Sequence, residues 1–579
     1  MNRTQSLRLL WCVVALIAVG GAIARLTGLD IQNYWIDEIF SVRQTDSSLL
    51  KVLRVGRTEV HPPTYALLLH VWVLLGGNTT AWTHLLSALI SIGGIAVSYL
   101  ALRRSSLPDV ARAMIVIATA CSGFSLAYAQ ETRAYSLIWL AAVGTTATTL
   151  MIVEQLSAAK LAASAGPDAP TAPDGDTAAA TASSAEMAPA ATGDQKAPEG
   201  GVEKTDQAKA DRKMWLPWII WGLLGSAGHM FGAILVIGAA ATLLLMFHPS
   251  WKKILIATGI AILPQISWVG LGLAITPKFA NGAKWAPAPD GESVLQLFRN
   301  TFAWGPLTQV EDGFYFHGMT GIIIFGGILV LALLVRAAMV ATSGGALNAP
   351  AVPDAEPTTE DSLNHAVIAL GILTTGTIVA VYGVSQIEHL WLLRNMIVVA
   401  PALSWLVCLL VVLLAPRGAL RMVFASATAI ALVASMVSAT AAQRIPYKTG
   451  FRDAVYDIMR FRQAHPDGFV QHNVDSWWLL GTDHPRDDNS MNKILLPGQR
   501  ISPGPFPKNI VRTDKPTLVV GMRLHLRDNE KKGRYIMDSL GADRCRQIMH
   551  KDVTVIWCDA PTSANPNPTA KPAPDWPRP

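Results

Sequence analysis

Residues 9–38 read LLWCVVALIAVGGAIARLTGLDIQNYWIDE. About twenty apolar residues, the length a helix needs to cross a bilayer, run into a polar stretch ending in Tyr34-Trp35-Ile36-Asp37-Glu38. Two adjacent acids at a membrane surface are costly to desolvate, and such groups mark functional sites. A span followed by an acidic loop is therefore the unit from which the rest of the chain is read.

Working outward, the apolar run recurs. Spans are expected at 9–28, 81–102, 109–128, 136–155, two sharing 215–247 and broken around His229, then 254–275, 318–340, 365–385, 395–415 and 422–441, eleven in all. Residues 63–76 form a shorter apolar segment, read as a helix lying in the interface. Arg3 and Arg8 precede the first run as in a signal peptide, but no small-residue cleavage site follows, so the run reads as an uncleaved helix. Composition agrees: 51% of residues are hydrophobic and 15% charged, against about 25% charged in a soluble chain. The net charge of +6 is spread along the flanks of spans and forms no stripe, which argues against a nucleic-acid partner.

Lys and Arg placement sets the orientation. With the N-terminus inside, the cytoplasmic ends collect Arg3, Arg8, Arg103, Arg104, Arg212, Lys213, Lys252, Lys253, Arg336, Arg417 and Arg421. Five regions are then expected. Residues 1–155 hold four spans and the first outer loop, and 156–213 form an Ala/Pro/Asp-rich disordered cytoplasmic insert. Residues 214–441 hold the remaining spans, with an outer loop at 276–316 and a cytoplasmic linker at 341–362. Residues 442–560 form a small extracytoplasmic α/β domain, with a helix at 451–463, strands at 517–521 and 553–557, and a disulfide between Cys545 and Cys558. Residues 561–579 form a disordered tail.

Four outward-facing groups could carry chemistry. Asp37-Glu38 could cap a helix or accept the proton of an attacking hydroxyl. Glu59-x-His61-Pro62-Pro63 could simply start a helix, or could hold a divalent metal or a phosphate at a cavity mouth. In Gln130-Glu131-Thr132-Arg133-Ala134-Tyr135, Glu131 and Arg133 could pair with each other or face a substrate. Arg394, after Glu388-His389 and before Asn395, could anchor the interface or bind a lipid-linked phosphate. His229 is either a packing residue or a ligand. The Trp residues near span ends, Trp35 among them, fit an interfacial belt. No Gly-rich phosphate loop or dinucleotide fingerprint occurs.

Trp35-x-Asp37-Glu38 after the first span, Glu59-x-His61-Pro62-Pro63-x-Tyr65 opening a short helix, and Gln130-Glu131-x-Arg133-Ala134-Tyr135 ending the third span together resemble the GT-C glycosyltransferases. The resemblance covers roughly residues 8–441 and is strongest to the branch of the protein O-mannosyltransferases and the lipid A aminoarabinose transferase. It implies a multispanning protein of the bacterial plasma membrane with its active site outside. The implied donor is a polyprenyl-phosphate-linked sugar, and the implied acceptor a cell-envelope glycolipid, glycan or protein. It further implies Asp37 as general base, with Glu38 and Glu131 in the catalytic group. Arg394 and Arg133 would meet the donor phosphate, and a divalent cation could sit on Glu59, His61 and His229. Asn395 departs from the family, where Tyr often follows that Arg. The competing expectation is a multispanning lipid or sugar transporter, which would place ionisable groups and broken helices near mid-bilayer.

Overall fold

In the computed structural model of the chain the described residues are 2–45, 48–56, 61–164, 202–275, 288–310, 313–342, 359–448, 451–472, 513–522, 530–550 and 553–563. Glu59 and most of the two expected linkers lie outside them, as do residues 564–579 of the expected tail.

Among the described residues eight helices are long and apolar enough to cross a membrane by length and composition. They are Thr4–Leu26, Thr80–Leu102, Asp109–Ala129, Tyr135–Leu161, His248–Ala274, Thr320–Thr342, Thr359–Glu388 and Ala419–Gln443. Apolar helices Thr64–Gly76, Met230–Met246 and Ala400–Leu414 are shorter. The difference from eleven expected spans arises where the sequence interrupts its helices. His229 is extended (φ −171°, ψ 150°) and separates Val202–Gly228 from Met230–Met246. A 3-10 turn, Leu393–Val398, precedes Ala400–Leu414.

Of the expected insert 156–213, the described residues are 156–164 and 202–213. Helices continue to Ser164 and resume at Val202, because Ala, Leu, Lys, Gln and Glu, all strong helix formers, dominate there. The linker expected from 341 likewise gives way to helix at Thr359. The expected loop 276–316 contains a helix, Gly291–Thr301, capped by Asp290, and a hairpin of Leu307–Val310 with Gly313–Phe316.

The centre of the bundle is Asp109–Ala129 and Tyr135–Leu161, each 89% buried over its apolar window, whereas Thr4–Leu26 and Thr320–Thr342 are 17% and 11% buried. Small and hydroxyl side chains let the central helices approach closely. Thr149 and Thr119 also accept hydrogen bonds from the indoles of Trp218 (2.9 Å) and Trp405 (3.0 Å). Arg25, fully buried, donates to the Thr119 and Ala120 carbonyls and to Ser91 and Ser125. It thereby satisfies the end of Asp109–Cys121 where the chain breaks at Ser122 and turns towards Gln130.

The C-terminal sheet has the strand order Phe469–His472, Thr517–Met522, Val553–Cys558, Cys545–His550; the first pair is parallel and the others antiparallel. Cys545 and Cys558 face each other in register and form a disulfide. Its core shares one apolar cluster with the loop after the first span: Tyr34, Ile39 and Val42 pack with Val455, Val555 and Trp557.

Candidate active site

The acidic stretch folds as a short helix, Ile36–Thr45, with Asp37 and Glu38 in its first turn, where carboxylates meet the positive end of the helix dipole. Ile39 and Val42 fix one face to the C-terminal core, and His70 Nδ1 lies 3.0 Å from the carbonyl of Thr45 at the helix's last residue. The two neighbouring acids then part ways.

Glu38 is wholly buried. Its Oε1 accepts from the Thr132 N–H (2.7 Å) and faces His84 Nε2 (2.8 Å). Its Oε2 accepts from Lys448 Nζ (2.8 Å) and the Trp35 N–H (3.2 Å). His84 Nδ1 donates to the Leu29 carbonyl at 2.7 Å, so with an ionised Glu38 both ring nitrogens donate. Burial pushes the Glu38 carboxyl upward, but Lys448 and His84 outweigh it and hold the group below the usual range.

Glu131 is also buried. Its Oε1 accepts from Trp35 Nε1 at 2.6 Å, and its Oε2 has no hydrogen-bond partner among the described residues. Burial raises its proton affinity above the ordinary carboxylate range; Lys448 opposes the shift and Glu38 adds to it. The Glu131 side chain is thus turned to Trp35, while Arg133 turns to the first-loop helix.

Asp37 is the exposed member. Its side chain is 25% accessible, with Arg394 Nη1 at 3.3 Å and Arg133 Nη2 at 3.8 Å from Oδ2. Arg133 also donates to Ser41 Oγ at 3.2 Å. The Arg394 guanidinium lies over the Trp35 ring at 5.3 Å, a contact of about 0.5–2 kcal/mol. Gly313 (φ 152°) lets the hairpin touch this segment: a Cβ there would meet the Tyr128 hydroxyl at 2.7 Å and the Arg394 backbone nitrogen at 3.3 Å.

Beside Arg133 a cavity of about 60 Å³ is lined by Phe40, Ser41, Gln44, His61, Tyr65, Tyr135 and His229, among others. Asp37, Glu131 and Arg394 do not line it; Asp37 reaches it through the Arg133 guanidinium. His61 and His229 stack at 3.5 Å between ring centres. His61 Nδ1 is buried without a partner among the described residues. Burial first, then Arg133 and Arg394, push the His61 imidazole down to about 3, so it is neutral. Thr64, which opens the helix after Pro62-Pro63, donates to the Ala227 carbonyl and draws this loop onto the break at His229.

For the divalent cation implied by the resemblance, the described residues offer two stacked imidazoles. His229 Nδ1 already accepts from the Phe231 N–H. Two guanidiniums stand nearby, and no group of three metal-ligating side chains occurs among the described residues. Glu59, the third residue of the expected set, lies outside the described residues.

Lys448 and His84 were not singled out in the sequence, and Trp35 was read as a belt residue and as the start of the Trp35-x-Asp37-Glu38 motif, with no contact assigned to it. His84 carried one usable signal, an ionisable group inside an apolar run. Lys448, 410 positions from Glu38, carried none.

No family model and no curated protein matches the chain. Among solved structures the chain is similar to ArnT from Cupriavidus metallidurans bound to undecaprenyl phosphate. Identity is 12%, the match covers 96% of this chain and 98% of that one, and the TM-score is 0.49. The apo state of the same protein gives 13%, 94% and 97%, with a TM-score of 0.47. The S. cerevisiae protein O-mannosyltransferase Pmt1-Pmt2 complex bound to the sugar donor gives 16%, 52% and 37%, with a TM-score of 0.26. At these identities and scores, the reading of the site rests on its own residues.

Proposed function

We propose that this chain is a membrane glycosyltransferase of the GT-C kind. It moves a sugar from a polyprenyl-phosphate donor to a hydroxyl of a cell-envelope glycolipid, glycan or protein on the outer face of the plasma membrane. One observation carries the reading. Of Asp37, Glu38 and Glu131, the acids of the two motifs, Glu38 and Glu131 are enclosed, and Asp37 is the accessible one, held between two guanidiniums.

The pair of arginines is the natural seat for the donor phosphate, since guanidinium and phosphate oxygens match in geometry and charge. A bound phosphate competes with Asp37 for Arg394 and Arg133 and frees the carboxylate. Asp37 then accepts the acceptor hydroxyl proton as that oxygen bonds to the anomeric carbon. The carbon–oxygen bond to phosphate breaks with its electron pair left on the polyprenyl phosphate, whose charge the arginines meet. One base and a stabilised leaving group give a single displacement with inversion. Glu38 and Glu131 shape the site without touching the reacting atoms. No step needs a metal, and the neutral His61 is placed to hydrogen-bond sugar or acceptor.

The test is transfer from a panel of labelled polyprenyl-phosphate sugars in membranes. Asp37→Asn is expected to lower the rate by about 10²–10⁴-fold at unchanged protein abundance; a fully active variant would remove Asp37 from the mechanism. The transporter reading draws on the helix break at His229 and the buried Arg25 and His84. It predicts lipid moved across the bilayer with its sugar still attached.

A further inference from the structure

Three stretches far apart in sequence meet on one carboxylate. The first loop supplies Glu38, the turn between two central helices supplies the Thr132 N–H, and the segment after the last long helix supplies Lys448. Lys448 is itself fully enclosed. Its ammonium donates to Glu38 Oε2 at 2.8 Å and to the Gln130 carbonyl at 3.0 Å, and lies 5.6 Å from the centre of the Phe314 ring. The backbone is pinned as well. Gln32 Oε1 accepts from the N–H groups of Tyr447 and Lys448, while Gln32 Nε2 donates to the carbonyls of Gln443 and Ile445.

A buried ion pair is a poor stability device, because desolvation consumes most of its attraction. What it supplies is fixed geometry. Asp37 precedes Glu38 in the same first helical turn, about 100° around the axis, so holding one carboxylate sets the direction of the other. Resting on the glycosyltransferase reading above, we propose that Lys448 is a positioning residue of the transfer reaction. Clamped on Glu38, it aims Asp37 at Arg133 and Arg394 and makes the chain beyond the last span part of the active centre.

The full-length protein in lipid nanodiscs tests this with two variants, Lys448→Met and the double variant Glu38→Gln/Lys448→Met. The single change leaves a buried carboxylate without its ammonium; the double change removes both charges. Lys448→Met is expected to lower kcat about 100-fold, the scale of a small misplacement of a reacting group, while the KM for donor moves less than about threefold. The double variant is expected to recover thermal stability but not kcat. Recovery of both, or wild-type kcat in the single variant, would show that the pair only supports the fold and would overturn the proposal.

Hydrogen exchange gives a readout independent of activity. Amides of Ile36–Thr45 are expected to exchange faster in both variants, and unchanged protection overturns the clamp. Failure of the wild type to transfer any sugar, with the exchange result as expected, would count against the glycosyltransferase reading and leave the clamp standing.

Discussion

Within a few ångströms of Trp35 two buried carboxyls are driven in opposite directions, which makes their linkage to pH separable. Glu38 is held low by Lys448 and His84. Its contribution to stability is present above the ordinary carboxylate pKa and is lost as pH falls through its depressed value. Glu131 is raised, by burial first. Its contribution is fully present below the ordinary pKa and is lost as pH rises through the raised value. Glu131→Gln, which mimics the protonated acid and keeps an acceptor for Trp35 Nε1, should therefore gain stability relative to wild type as pH rises. Melting in detergent at pH 5 and pH 8 should show a larger advantage of the variant at pH 8, with the transfer rate within about tenfold of wild type, since the group touches no reacting atom. An advantage that is equal or smaller at pH 8 would mean that Glu131 is ionised in the folded protein.

At the scale of elements, the cavity wall depends on how closely the helices on either side of His229 return past each other. A Cβ on Gly232 would fall 2.1 Å from the carbonyl oxygen of Gly225, a backbone atom that cannot swing aside. Gly232→Ala should force the two helices apart, cost about 1–3 kcal/mol as overpacking does, and shift His229 against His61. Gly259→Ala is the control, because its Cβ would meet nothing within 4 Å. Equal thermal midpoints for the two variants would show that the helices yield freely. The helices themselves were legible in the sequence because a bilayer forces long apolar runs and leaves the chain few other backbone solutions. Asp37, Arg133, Arg394, His61 and His229 could also be named, each being a polar group at the edge of such a run. Their division of labour could not. Whether Glu38 or Asp37 faces solvent depends on Lys448, and whether Glu131 meets Arg133 depends on Trp35; both contacts are set by tertiary packing, which no local pattern encodes.

For the whole molecule, one packing cluster makes orientation testable from a distance. Tyr34, Ile39 and Val42 of the first loop share a core with Val555 and Trp557 of the C-terminal sheet, so the sheet and Asp37 stand on the same side of the membrane. Cys545 on an edge strand of that sheet and Cys558 on its neighbour form a disulfide, a bond that persists in oxidising compartments. Placement of the basic residues leads to the expectation that this side is outside. In intact cells carrying Cys12→Ala, a membrane-impermeant maleimide should leave the protein unlabelled until an impermeant reductant is added. It should then label Cys545, which is partly exposed, while Cys121 and Cys408 stay protected by burial. Labelling that appears only after the membrane is permeabilised would put the sheet inside. Through the shared cluster it would put Asp37 inside too, and a reaction on outer-face acceptors would no longer be possible.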